Sequence, residues 1–201
     1  IEITTHNGLR TRSWSEAILM LIFDNLKIPY FYEVEIRRED DKNTYKLTYP
    51  KPDNKDYRIP DFTISSEKNG TFPEKGTEVT EEIVEIKKVK CIIEHLGMLE
   101  NEEYRDGWQK KVKDYYDEYK FDLVAPLSSL SKVNDGSYKI SQKWENEDVE
   151  LGKYYQTKQL KNFTINSNNF NMTICFTTDE KDFKNLQTLT QKLVLLQELY
   201  K

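Results

Sequence analysis

Segments with the apolar spacing of helices alternate in this chain with short runs of aromatic and β-branched residues. Helices are predicted over residues 13–26, 102–119 and 180–199, where apolar side chains recur three or four positions apart. Strands are predicted over 30–36, 45–49, 57–64, 83–97, 121–125 and 172–177. Helices and strands in this order predict an α/β or α+β fold with a mixed sheet flanked by helices.

Length and composition predict one folded domain. The chain has 201 residues, including 13 Tyr, 9 Phe and 3 Trp, which is too aromatic for a disordered chain. We expect a single domain over residues 1–201, with loops or insertions at 65–82 and 131–162. The apolar run from Ala17 to Phe23 falls far short of the roughly 20 residues that span a membrane. Because the sequence begins at Ile1 without a leader, we expect a cytoplasmic fragment of a longer chain.

Scarce residue types exclude several kinds of site. Cys91 and Cys175 lie in apolar stretches, where buried reduced thiols are expected, and the only histidines are His6 and His95. This set gives no zinc cluster, and no nucleophile elbow accompanies His95. Any metal is therefore expected to have oxygen ligands. The net charge of −5 argues against nucleic-acid binding over the whole surface but allows a local basic groove.

Carboxylates interrupt apolar patterns at three places. Asp61 lies within one predicted strand, Glu94 closes another, and Glu16 shares a helix face with apolar side chains. Lys111 lies in an aromatic stripe with Tyr104, Trp108 and Tyr115. Asp61 or Glu94 alone is explained as a carboxylate at an exposed strand end. Together, however, three acids and a lysine on core-facing elements are what a magnesium-dependent phosphodiester nuclease needs.

These residues resemble the PD-(D/E)XK nuclease superfamily, and in particular its restriction-endonuclease-like domains that occur alone or attached to superfamily 1 helicases in bacteria. The resemblance covers residues 12–116 and rests on Ser15-Glu16, Tyr32-Glu33, Pro60-Asp61-Phe62, Glu94-His95-Leu96-Gly97-Met98, Tyr104, Trp108, Lys111 and Tyr115. It implies a restriction-endonuclease-like fold and Mg²⁺, with Mn²⁺ as the alternative ion. Asp61 and Glu94 would hold the metal, Glu16 would complete or orient its shell, and the His95 carbonyl would contribute a ligand.

The position of the lysine departs from the superfamily pattern. That lysine normally follows the second acid by two positions, where this chain has Leu96. The resemblance therefore implies a displaced lysine, Lys111, acting on the attacking water. A literal Glu-x-Lys at Glu85 and Lys87 stays open as the competing assignment, although its alternating charges are those of a solvent-facing strand.

The sequence thus predicts a Mg²⁺-dependent DNA endonuclease. A larger helicase, restriction or defence protein is the kind of chain to which such a nuclease could belong. The expected partners are DNA, double-stranded or branched, and other domains of a longer chain, with no membrane; a homodimer is left open. The alternative is a nuclease-fold module that binds nucleic acid or a partner protein without cutting it.

Overall fold

The structure is a computed structural model that describes residues 3–5, 10–39, 44–48, 58–65, 84–86, 89–141, 162–166 and 170–201. The chain forms two compact units, Ile1–His95 and Leu96–Lys201. Its described residues contain α-helices with both antiparallel and parallel strand pairs, which confirms the predicted mixed class. Domain number stays a prediction. No helix in the described part of the chain is long and apolar enough to cross a membrane.

The described part of the first unit combines one α-helix with antiparallel strands. Strands β3, β6 and β8 are neighbours, β4, β5 and β7 form a separate sheet, and β1 pairs with β2. The elements are β1 (Ile3–Thr4), β2 (Arg10–Thr11), α1 (Trp14–Leu26), β3 (Tyr30–Tyr32), β4 (Glu35–Glu39), β5 (Thr44–Thr48), β6 (Phe62–Ser65), β7 (Val84–Ile86) and β8 (Val89–Leu96).

Helix α1 begins where the sequence predicts it. The Ser13 side chain caps it by accepting the backbone N–H of Glu16 at 3.2 Å. Its inner face is fully buried at Leu19, Met20 and Phe23. The Phe23 ring lies 5.1 Å from the Phe62 ring of β6, centroid to centroid, so the helix packs against the strand that follows Asp61.

The strand predicted over 30–36 is wrong in extent. It divides into β3 and β4 because Glu33 adopts a left-handed backbone with φ 49°. Residues other than glycine rarely adopt that backbone conformation, and a strand cannot continue through it. The Glu33 N–H instead donates to the Asp61 carbonyl at 3.0 Å.

The strand predicted over 57–64 begins only at Phe62. Pro60 has no N–H to give to a ladder, which ends the pairing on that side. Asp61 therefore lies in a bend immediately before β6 and not inside a strand. Arg58 keeps one isolated bridge, to Ile36.

In its described residues, the second unit contains two α-helices, a parallel strand pair and an antiparallel sheet. Strands β9 and β13 are parallel, and β10, β11 and β12 are antiparallel neighbours. The elements are α2 (Glu102–Asp117), β9 (Leu123–Pro126), β10 (Leu130–Lys132), β11 (Tyr138–Ser141), β12 (Asn162–Ile165), β13 (Ile174–Asp179) and α3 (Leu186–Leu199), with short 3₁₀ turns at Leu127–Ser129 and Asp182–Lys184.

The two segments predicted as loops or insertions, 65–82 and 131–162, are described only in part. Residues 66–83 lie outside the described residues, so the prediction for 65–82 is tested only at Ser65, which belongs to β6. The segment 131–162 holds regular structure at its start, since β10 and β11 pair around a turn in which Gly136 has φ 85°. Whether the whole segment is an insertion stays a prediction, since residues 142–161 lie outside the described residues.

The last helix starts later than the pattern predicts. Asn185 caps α3 by accepting the Thr188 N–H at 3.1 Å, so residues 180–185 are not part of the helix. Leu186, predicted to point inward, is 46% exposed because it lies at the first position of the helix. The inward positions Leu193 and Leu196 are confirmed as buried.

Lys27, which follows α1, offers a test of this backbone geometry. It has a left-handed conformation, φ 56° and ψ 39°, which glycine adopts without steric cost. We expect Lys27→Gly to raise the free energy of unfolding by about 0.5–1 kcal/mol. The matched control is Lys113→Gly on an exposed position inside α2, expected to lower it by about 1 kcal/mol. Urea denaturation measures both, and equal losses would contradict the assigned conformation.

Candidate active site

Asp61 and Glu94 occupy neighbouring positions at one end of the β6–β8 ladder. The last pair in register is Phe62 with Ile93. Glu94 follows Ile93 within β8, and Asp61 lies in the bend immediately before Phe62. The backbone N–H of His95 donates to Asp61 Oδ2 at 2.6 Å, which fixes this carboxylate beside the Glu94 segment.

Glu94 is deeply buried in β8. Only 3% of the residue is exposed, so the explanation of an exposed strand end fails for it. A carboxylate at that depth is costly unless donors or a cation compensate its charge. Its neighbour His95 is 9% exposed and lies on the opposite face, since successive strand residues alternate. The role of the His95 carbonyl stays a prediction.

Glu16 is held by two hydrogen bonds on one carboxylate oxygen. The Tyr32 hydroxyl donates to Oε2 at 2.8 Å, and the backbone N–H of Arg12 donates to the same atom at 3.0 Å. Glu16 and Tyr32 are both buried. Ser13 and Glu16 also have the spacing of a capping box, in which an acid reaches back over the start of its helix. Glu16 therefore fixes the entry into α1 as well as contacting β3.

The side chain of Arg12 pairs with a further acid, Glu33. Its guanidinium lies 2.8 Å from Glu33 Oε1, with side chains 77% and 24% exposed respectively. Burial raises the pKa of the Glu33 carboxyl, Arg12 opposes that shift, and the Glu16 charge adds to it. Glu33 is thus an additional acid near Asp61, whose carbonyl accepts its N–H.

Tyr32 remains a proton donor throughout the ordinary pH range. Burial raises its pKa well above the usual value, and the neighbouring charges of Glu33 and Glu16 raise it further. The resemblance to the nuclease superfamily includes the motif Tyr32-Glu33 but assigns no role to either residue. The capping-box spacing of Ser13 and Glu16 is a signal that could have linked Glu16 to the Arg12 backbone.

Lys111 lies on α2 in the second unit, with the aromatic surroundings that the sequence predicts. Trp108 and Tyr115 are buried, and the Lys111 ammonium lies 5.9 Å from the centroid of the Tyr115 ring. This is the distance of a cation–π contact. The predicted action of Lys111 on water stays a prediction.

The competing acid, Glu85, belongs to a different sheet from Asp61. It lies in β7, where it pairs with Lys46 of β5, whereas Asp61 precedes β6. Lys87 lies outside the described residues. The backbone register therefore makes Glu94 the neighbour of Asp61, and which acid acts in catalysis stays a prediction.

Asp61 and Glu94 offer carboxylate oxygens, the type of donor that a hard cation such as Mg²⁺ takes. Within the described segments, no three His, Cys, Asp or Glu side chains group as a metal site, so Glu16 does not form such a group with Asp61 and Glu94. Mg²⁺ commonly binds through one or two carboxylates and keeps waters or substrate phosphates as its other ligands. Asp61 and Glu94 supply carboxylate oxygens of that kind, whereas a softer metal would need sulfur or imidazole ligands.

Comparison with known proteins yields one distant relative. Over 136 residues the chain is 26% identical to a protein of Methanocaldococcus jannaschii named "Uncharacterized protein MJ1519". The match covers 68% of this chain and 8% of that protein, so the chain corresponds to a small part of its relative. No family model matches the chain, and no solved structure matches it.

Proposed function

We propose that this chain is a Mg²⁺-dependent DNA endonuclease that hydrolyses phosphodiester bonds. The observation that supports it most is the meeting of Asp61 and Glu94 at one end of the β6–β8 ladder, with Asp61 bound to the His95 N–H at 2.6 Å. Two adjacent carboxylates, one of them deeply buried, suit a hard divalent cation that also takes up substrate phosphate.

Each residue has a distinct part in the proposed reaction. Asp61 and Glu94 would hold the cation, Glu16 would orient the shell around it, and the His95 carbonyl would add an oxygen. A bound Mg²⁺ lowers the pKa of a ligated water and neutralises charge on the phosphate. The water oxygen bonds to phosphorus and gives up a proton, while the bond from phosphorus to the leaving sugar oxygen breaks and that oxygen takes up a proton. The products are a phosphate monoester and a hydroxyl. On the sequence resemblance, Lys111 positions this water or helps to deprotonate it.

The chain is proposed to act as the nuclease part of a longer cytoplasmic protein. The match to 8% of a much longer relative supports this placement within a larger chain. The substrate is DNA, and the negative net charge of −5 means that a local basic surface would have to bind it.

Cleavage of plasmid DNA by the purified chain tests the proposal. We expect nicking and linearisation with Mg²⁺ or Mn²⁺ and none with excess EDTA. Catalysis independent of added metal would contradict the assigned chemistry. DNA binding without any cleavage would favour the non-cleaving module.

Glu16→Gln is expected to cause a smaller but definite loss of activity. Gln keeps an oxygen that can accept from Tyr32 and Arg12, so the packing is preserved while the charge is lost. We expect higher Mg²⁺ concentrations to restore part of the rate, since Glu16 supports the metal shell without being its main ligand. The measurement is the cleavage rate against Mg²⁺ concentration. An unchanged Mg²⁺ dependence would return Glu16 to a structural role at the start of α1.

A further inference from the structure

We propose that Tyr32 is a positioning residue that orients the Glu16 carboxylate for cation binding. The inference rests on the proposed nuclease function and adds a residue to its site. Tyr32 does not contact the reacting atoms in this proposal; it acts through Glu16.

The position of Tyr32 links α1 to the strand that follows Asp61. Tyr32 is the last residue of β3 and pairs in register with Phe62, the residue next to Asp61. Its ring lies 5.4 Å from the Phe62 ring, and 7% of the residue is exposed. The packing of the Tyr32 ring therefore fixes its hydroxyl, which donates to Glu16 at 2.8 Å.

Both hydrogen bonds to the Glu16 side chain reach Oε2. Within the described residues, no hydrogen bond reaches Oε1. Two donors on one oxygen fix the rotation of the carboxylate, and donation to an ionised acceptor is stronger than between neutral groups. Oε1 is thus the atom that the arrangement leaves for a cation or for a water bound to it.

A purely structural role for the Tyr32 hydroxyl predicts a different experimental result. The Arg12 N–H alone fixes the start of α1, as an acid does in a capping box. The Tyr32 hydroxyl adds a second donor from another element, which is the arrangement by which outer residues orient metal ligands. A structural role predicts a change in stability alone, whereas a positioning role predicts a change in cation affinity.

The test is Tyr32→Phe, which keeps the ring and removes the hydroxyl. Mn²⁺ is titrated into the DNA-free protein, and free Mn²⁺ is measured by electron paramagnetic resonance. We expect the Kd for Mn²⁺ to rise about 10-fold, with cleavage recovering at saturating metal. In a Glu16→Gln background, Tyr32→Phe should cause no further rise, because its effect passes through that carboxylate.

Tyr30→Phe is the matched control. Tyr30 lies in the same strand, and its ring packs against Phe23 and Phe62 at 5.3 and 5.8 Å. We expect its Kd for Mn²⁺ to equal that of the wild type. If Tyr32→Phe does not fold, Glu16→Asp serves instead, because the shorter side chain keeps its charge but withdraws from the hydroxyl; it should give the same rise.

The possible failures are distinguishable. A wild-type chain that cleaves DNA, beside a Tyr32→Phe or Glu16→Asp variant with unchanged Mn²⁺ affinity, would overturn this inference alone. A wild-type chain that neither binds Mn²⁺ nor cleaves DNA would overturn the proposed function, and this inference with it.

Discussion

Asp61→Asn is expected to abolish Mg²⁺-dependent cleavage and to leave the fold intact. The Asn side chain keeps an oxygen that can accept the His95 N–H, so the bond at 2.6 Å has a replacement. What is lost is the negative charge that would hold the cation and, through it, the phosphate. Removal of such electrostatic stabilisation costs at least about 10²–10³-fold in rate. Single-turnover cleavage with excess enzyme measures the loss.

Asp122→Asn is the control that makes this result specific. The Asp122 carboxylate also accepts a backbone N–H, from Thr173 at 2.9 Å, but it lies outside the proposed acid set. The same chemical change there should leave cleavage unchanged. Full activity in Asp61→Asn would contradict the site, as would an equal loss in both variants.

Glu94→Gln should match the loss in Asp61→Asn. Glu and Gln side chains have nearly the same volume. Such a match is needed at position 94, where only 3% of the residue is exposed. A neutral amide also avoids the cost of burying a charge. We therefore expect the free energy of unfolding, measured in urea, not to fall, while cleavage falls below detection. An active Glu94→Gln variant would move the second acid to Glu85.

Lys111→Ala is expected to lower turnover by orders of magnitude at nearly unchanged Mg²⁺ affinity. The sequence resemblance gives Lys111 the part of a cation that acts on water and on the transition-state charge, not on the metal ion. Its contact with the Tyr115 ring is compatible with an aliphatic stem lying along aromatic surface. Single-turnover rates across a range of Mg²⁺ concentrations separate the two effects.

Two other lysines serve as controls for Lys111. Lys113 lies two positions later on α2 and is exposed, so Lys113→Ala should leave the rate unchanged. Lys87→Ala should weaken DNA binding at most. An inactive Lys87→Ala variant beside an active Lys111→Ala variant would overturn the displaced lysine and favour Glu85 as the second acid.

The sequence predicted helices better than strand ends. Spacing and the Ser13 cap located α1, and the aromatic stripe located α2, because both signals are local. The strand breaks depended on a left-handed Glu33 and on the missing N–H of Pro60, whose effects appear only when a neighbouring strand is in place. The turn at Gly136 likewise carries two short strands that have no clear apolar period.

The sequence pointed to the residues of the candidate site, whose roles stay predictions, but not to their contacts. Asp61, Glu94 and Glu16 each break an apolar pattern, so they stand out in the sequence. Their arrangement depends on the β6–β8 register and on a hydroxyl from β3, which are long-range features. For this reason the sequence assigned Tyr32 only a place in the Tyr32-Glu33 motif and no role for its hydroxyl.

The most direct test of the central claim is cleavage of end-labelled DNA by the purified wild-type chain and Asp61→Asn, prepared side by side. The account predicts fragments from the wild type with Mg²⁺, none with EDTA, and none from Asp61→Asn under either condition. No cleavage by a folded wild-type chain in Mg²⁺ or Mn²⁺, or equal cleavage by both proteins, would contradict it.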